Sequence, residues 1–181
     1  MKVIPTDLPG VLLLEPAVHR DARGFFLESW NAAVFREASG QDVVFVQDNH
    51  SRSVRHVLRG IHYQIRHAQG KLVRVVSGAV WDVAVDLRRS SPHFGRYAAV
   101  ELTAENQRQL WIPPGFGHGF LVLSEFADFL YKTTDYRHAE SERSLRWNDP
   151  ALGISWPLDQ LPVLAPKDAA APLLADAEVY D

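Results

Sequence analysis

Short apolar runs recur along the chain, cut by polar turns rich in Gly, Pro and Asn. The clearest covers residues 81–88. There Trp81, Val83, Val85 and Leu87 alternate with Asp82, Ala84, Asp86 and Arg88, the period of two of a strand. Residues 11–14, 25–30, 71–76, 97–102, 110–112, 120–123 and 129–133 read as further strands. Residues 43–46 read as another, leading into the polar Gln47-Asp48-Asn49-His50-Ser51. That polar segment is either a turn or the lip of a binding pocket. Residues 19–24, 77–78 and 90–95 read as turns or loops. A short helix is predicted over residues 32–39, with Asn31 as N-cap and Gly40 as its stop. From Trp147 the pattern loosens, and residues 168–177 are expected to be partly helical, interrupted by Pro172. So many short strands predict a β-sandwich or barrel. Without a repeat or a second helical block, the expectation is one domain over residues 1–181.

Composition narrows the classes. A length of 181 residues supports one sizeable core. The net charge of −3 argues against general nucleic-acid binding, which needs a basic face. The chain has no cysteine, which excludes disulfides and thiolate metal sites. No apolar run reaches membrane-span length, and residues 1–7 lack the apolar core of a signal peptide. The expectation is a cytoplasmic protein with no membrane attachment.

The candidate chemistry centres on Arg59-Gly60-Ile61-His62-Tyr63-Gln64, followed by Lys71. A guanidinium, an imidazole and an ammonium in one strand-like span can hold an anion and move a proton on it. Alternation predicts Arg59, Ile61 and Tyr63 on one side and Gly60, His62 and Gln64 on the other. A second constellation, Pro113-Pro114-Gly115-Phe116-Gly117-His118-Gly119, predicts a tight turn that presents His118. Its Pro-x-Gly-x-x-His pattern is that of cupins, which are small jelly-roll barrels. Cupin metal sites also take a second histidine and a glutamate. Here Gln64, Ala68 and Gln69 fall at those positions. Two imidazoles fall short of the three protein ligands a catalytic metal usually has. No dinucleotide or phosphate-loop motif occurs. Acid–base chemistry on a bound anion, with no cofactor, is what remains. His62 is a candidate base and Tyr131 a candidate proton donor or acceptor.

Taken together, these stretches resemble the dTDP-4-dehydrorhamnose 3,5-epimerase family. The likeness runs in order through Arg23-Gly24-Phe25-Phe26-x-Glu28, Gln47 to Ser51, Leu58 to Gln64, Gln69 to Arg74, Tyr131, Trp147 to Pro150 and Lys167-Asp168. It implies a cupin-type jelly-roll (double-stranded β-helix) barrel with a few short helices, working as a homodimer on a dTDP-sugar with a ketone at C4. That ketone acidifies the hydrogens at C3 and C5, so deprotonation and reprotonation through an enolate need no metal and no cofactor. By likeness His62 is the base, Asp168 orients it, Lys71 stabilises the enolate and Tyr131 is the acid. Arg23 and Arg59 fall at the diphosphate. Glu28, Gln47, Asp48, Asn49, His118, Glu142 and Lys167 fall at other substrate-contacting positions.

One segment departs from the family pattern. Where a thymine-stacking aromatic and a proline are usual, Arg137 and Ala139 stand, which leaves Phe26 and Arg137 as the candidate groups over the base. The rivals are an epimerase of C3 or C5 alone, a keto isomerase, a metal-dependent cupin oxygenase and a non-catalytic sugar-nucleotide binder.

Overall fold

The computed structural model describes all 181 residues. In chain order it comprises β1 (Lys2–Pro5), β2 (Leu12–Glu15), β3 (Val18–Asp21), β4 (Gly24–Leu27), α1 (Ala32–Ser39), β5 (Gln47–Val54), β6 (Leu58–Gln64), β7 (Lys71–Ser77), β8 (Ala79–Asp86), β9 (Tyr97–Thr103), β10 (Gln109–Ile112), β11 (Phe116–Val122), β12 (Phe126–Thr133), β13 (Glu142–Ser144) and α2 (Pro166–Ala169). A six-stranded sheet has the order β1-β2-β10-β7-β12-β5, and a five-stranded sheet the order β13-β6-β11-β8-β9. All their pairings are antiparallel. The sheets face each other as the expected mainly-β, cupin-type jelly roll, while β3 and β4 form a separate hairpin. No helix is long and apolar enough to cross a membrane.

Between the sheets, Val73, Val75 and Leu110 of the six-stranded sheet meet Val80, Ala84, Phe120 and Val122 of the other. Burying each large apolar side chain here contributes about 1.5–3 kcal/mol. The five-stranded sheet is covered on its outer face as well. Ile61, Tyr63, Val83 and Val85 pack there under Leu145, Leu152, Leu174 and Val179 of the C-terminal segment. Every residue of β11 is therefore buried. The segment is also stitched to β6 by hydrogen bonds. Tyr63 Oη donates to the Glu178 carbonyl and Tyr180 Oη to the Gln64 carbonyl, both at 2.6 Å. Helix α1 is capped as its sequence predicts: the Asn31 side chain accepts from the Val34 amide, and Gly40 closes it at φ 70°. The helix buries Phe35 against Trp111.

Several expectations change. Residues 19–21 are strand, not turn, because they pair with β4, and β4 itself ends at Leu27 rather than Trp30. Residues 43–46 are not a strand. The polar segment beginning at Gln47 is one instead, because it pairs along the whole of β12. The turn at Pro113–Gly115 ends before His118, which lies inside β11. The partly helical tail is confirmed as α2 plus a 3-10 turn at Leu174–Asp176.

The most consequential change is in β6. His62 pairs with His118 and Arg59 with Phe120. Three steps on β6 thus oppose two on β11, a one-residue bulge that re-aims side chains. Arg59 is thrown onto the side of His62, while Ile61 and Tyr63 enter the outer core. The bulge requires glycine at Gly60. Its φ is +124°, and a Cβ there would sit 2.5 Å from the Gly119 Cα. Gly60→Ala is expected to cost at least ~2 kcal/mol through left-handed strain and overpacking. A urea midpoint that does not move would contradict this account of the bulge.

Candidate active site

Residues of both sheets line a cavity of about 940 Å³. β6 supplies Arg59 and His62, and β11 supplies His118. The six-stranded sheet supplies Gln47 and Asn49 from β5, Lys71 from β7 and Tyr131 from β12. Glu142 of β13, Arg137 of the preceding loop, and Lys167 and Asp168 of α2 complete the lining. Four expected site residues lie elsewhere. Asp48 points outward from β5 and pairs with Lys132 at 2.8 Å. Arg23 pairs with Asp21 at the tip of the β3–β4 hairpin, 2.6 Å apart. Phe26 and Glu28 border a separate cavity of about 170 Å³ at the base of that hairpin.

His62 Nε2 lies 2.6 Å from Asp168 Oδ1. Asp168 is only 1% exposed and also faces the Gly60 amide at 3.4 Å. Pro166 starts α2 with the fixed φ that suits a first helical position, and the helix holds Asp168 against β6. The other ring nitrogen of His62 makes no hydrogen bond within the chain. Burial lowers the basicity of His62, and the hydrogen bond and charge of Asp168 oppose that effect. The ring is thus kept neutral near neutral pH, with a carboxylate in place for the imidazolium that forms when it takes a proton.

Lys71 is nearly buried, its Nζ 3.5 Å from the His62 carbonyl. Burial pulls its pKa down to about 8, against the opposing charges of Asp82 and Glu142. Tyr131 is raised by burial, with the Arg59 cation acting the other way. Its phenol therefore stays protonated at neutral pH, as a proton donor must.

Asp82 was not expected. It is fully buried and holds His118 Nε2 through both oxygens, at 3.0 and 3.1 Å. Its signal was present in the sequence: an acid in a strand whose neighbours on both faces are apolar has to find a buried partner. Arg137 is tied to Glu142 by a 2.6 Å ion pair, and its backbone amide donates to Gln47 Oε1. Gln64, standing where a cupin carries a metal-binding histidine, uses its amide as a clip. It donates to the His67 and Tyr136 carbonyls and accepts from the His138 amide.

Lys71 gives the site a pH signature. Between about pH 8 and its ordinary value of 10.5 the unfolded chain holds a proton that the folded chain has released. Stability should therefore rise with pH across that window, and the full cost should be present below pH 8. The effect is on the order of a few kcal/mol. Lys71→Met should be more stable than the parent at pH 7 and lose this rise. Urea titrations from pH 7 to 10.5 test it, and parallel curves for the two proteins would reject it.

Comparison with known proteins supplies a further observation. The family model for dTDP-4-dehydrorhamnose 3,5-epimerase matches residues 5–176. A protein of that name from Pseudomonas aeruginosa is 59% identical over 180 residues, 99% of each chain. Another from Salmonella typhimurium is 60% identical over 178 residues, 98% of this chain and 97% of that one. Among solved structures, a dTDP-6-deoxy-D-glucose-3,5-epimerase from Legionella pneumophila, in complex with dTDP-4-keto-L-rhamnose, superposes with a TM-score of 0.96 at 52% identity. The match covers 98% of this chain and 94% of that one.

Proposed function

The chain belongs to the dTDP-4-dehydrorhamnose 3,5-epimerase family, and on that premise we propose how its own residues carry the reaction. The enzyme inverts C3 and C5 of dTDP-4-dehydro-6-deoxy-D-glucose, giving dTDP-4-dehydro-6-deoxy-L-mannose for dTDP-L-rhamnose synthesis. The observation that carries the assignment of roles is that His62 and Tyr131 enter one cavity from opposing sheets, with Lys71 also lining it. A planar keto-sugar between them meets a base on one face and an acid on the other. His62 removes the hydrogen next to the C4 ketone. Lys71 stabilises the negative charge that moves onto the ketone oxygen, in a site where water screens it little. Tyr131 returns a proton to the far face, which inverts the carbon. Asp168 fixes the ring of His62 and favours its charged form.

Arg59 and Lys167 supply positive charge for the diphosphate, and a guanidinium can grip it bidentately. Arg137, held by Glu142, is the group of this chain that can lie over thymine, since an arginine plane stacks on rings. Gln47, Asn49 and His118 contact the substrate within the same one-domain barrel of residues 1–181. In His62→Ala, loss of the base should lower the exchange of C3 and C5 hydrogens with deuterated water by ~10²–10⁴. Lys71→Ala should lower it by ~10²–10³. Exchange at the wild-type rate in His62→Ala, followed by NMR, would reject its role, and the configuration of the product sugar reports whether both carbons invert.

The working unit in this proposal is a homodimer. By likeness Arg23, Phe26 and Glu28 meet the nucleotide, yet they stand on a hairpin outside their own chain's cavity, with Phe25 and Phe26 56% and 67% exposed. A second copy's hairpin can bring them to the cavity, and β5 offers a sheet edge with no strand paired beyond it. Asp48 on that edge strand would join the same contact. Each site would then take its core from one chain and its hairpin from the other. Mixing Arg23→Ala with His62→Ala chains under exchange should restore about a quarter of wild-type activity at low substrate, from the one intact site of each mixed dimer. Activity no higher than the sum of the two variants alone would reject the shared site.

A further inference from the structure

We propose that His67, Asp135 and His138 form a binding site for a divalent metal of the zinc class on the outer side of the cavity mouth. Their ligand atoms all lie within 4.8 Å of one another, and none of the three lines the cavity. The site is therefore separate from the acid–base chemistry.

The three residues stand on two loops, one after β6 and one after β12, that are fixed to each other from beneath. Gln64, 4% exposed, holds the His67 carbonyl at 2.7 Å and the His138 amide at 2.8 Å. Gln69 Nε2 donates to the Asp135 carbonyl at 2.9 Å, and the Gly70 amide donates to Thr134 Oγ1 at 2.7 Å. Ligands carried on a backbone this well clamped cost little to organise.

The side chains are correspondingly close. His67 Nδ1 lies 3.4 Å from Asp135 Oδ2. The other carboxylate oxygen, Oδ1, accepts from the Tyr136 amide, which orients the group and leaves Oδ2 facing the imidazoles. The rings of His67 and His138 stack with centroids 3.8 Å apart and planes 13° from parallel. Parallel rings do not aim their in-plane lone pairs at one point. Rotation about the Cβ–Cγ bond, a broad and soft torsion for histidine, turns them toward the carboxylate oxygen.

Two imidazoles and one carboxylate, with room for water at the fourth position, suit Zn²⁺ and similar borderline ions. Mg²⁺ and Ca²⁺ prefer all-oxygen sets. Of the two neighbouring loop cations, Arg137 is ion-paired with Glu142, and Arg66 makes no ion pair with Asp135.

The test is calorimetric titration of zinc chloride into the full-length chain, stripped with a chelator and free of any added histidine tag. One saturable site per chain is expected. It should weaken by at least ~10–100-fold, the cost of removing even a supporting group around a metal, in His67→Ala and in His138→Ala alike. Asp135→Asn keeps the side-chain volume and should weaken binding while the circular dichroism spectrum is unchanged, so a folding defect cannot mimic the result. Affinity should fall as the pH is lowered, because imidazole must be neutral to ligate. Absence of a saturable site, or equal affinity in a His67→Ala, His138→Ala double variant, would make the trio a stacked and ion-paired surface cluster and overturn the proposal.

Discussion

The close approach of β6 to β11 is the constraint on which the site rests. At Gly60 and Gly119 the two backbones come so near that neither position has room for a side chain. The bulge at that crossing adds one residue to β6 and turns Arg59 to the side of His62. A regular strand would have put the guanidinium in the outer core beside Ile61 and Tyr63. A contact between two glycines thus decides that Arg59 and His62 share one cavity.

Around that contact the fold gives its buried carboxylates hydrogen-bond partners. Asp168 has His62, Asp82 has His118, and Lys71 is left with no ion-pair partner within 4 Å, only the field of Asp82 and Glu142. Burying an unpaired ammonium is costly. In the proposed mechanism that cost sits beside the ketone oxygen, so the group least comfortable in the resting protein is the one the enolate would relieve. The same burial keeps the phenol of Tyr131 protonated and His62 neutral, the two states that their proposed roles require.

Much of this was legible in the sequence, for identifiable reasons. Helix α1 was readable to the residue because Asn31 and Gly40 are local signals whose hydrogen bonds close within a few positions. β8 was readable because apolar Trp81, Val83 and Val85 recur at every second position, interleaved with Asp82 and Asp86. Residues 43–46 misled because apolar content alone does not make a strand without a partner to pair with, whereas Gln47–Val54, polar throughout its first half, is held by β12. The sides of Arg59 and His62 were misread because a bulge depends on the neighbouring strand and leaves no local trace except a glycine. His118 was expected at a turn, since prolines and glycines precede it, but its partner Asp82 belongs to the strand alongside. The residues of the cavity came from motif order along the chain. The hairpin that carries Arg23 showed in the same way, without any indication that its own cavity lies elsewhere.

The His62–Asp168 pair joins positions 106 residues apart, and the segment beyond Asp168 seals the back of β6 through Tyr180 and Val179. During synthesis, the strand bearing His62 leaves the ribosome long before its carboxylate partner exists. Until then the imidazole has no carboxylate to orient it, and Ile61 and Tyr63 have no cover. In the proposed mechanism the base therefore gains its orienting carboxylate only with α2, in the same stretch of synthesis that delivers the residues covering the outer face of β6.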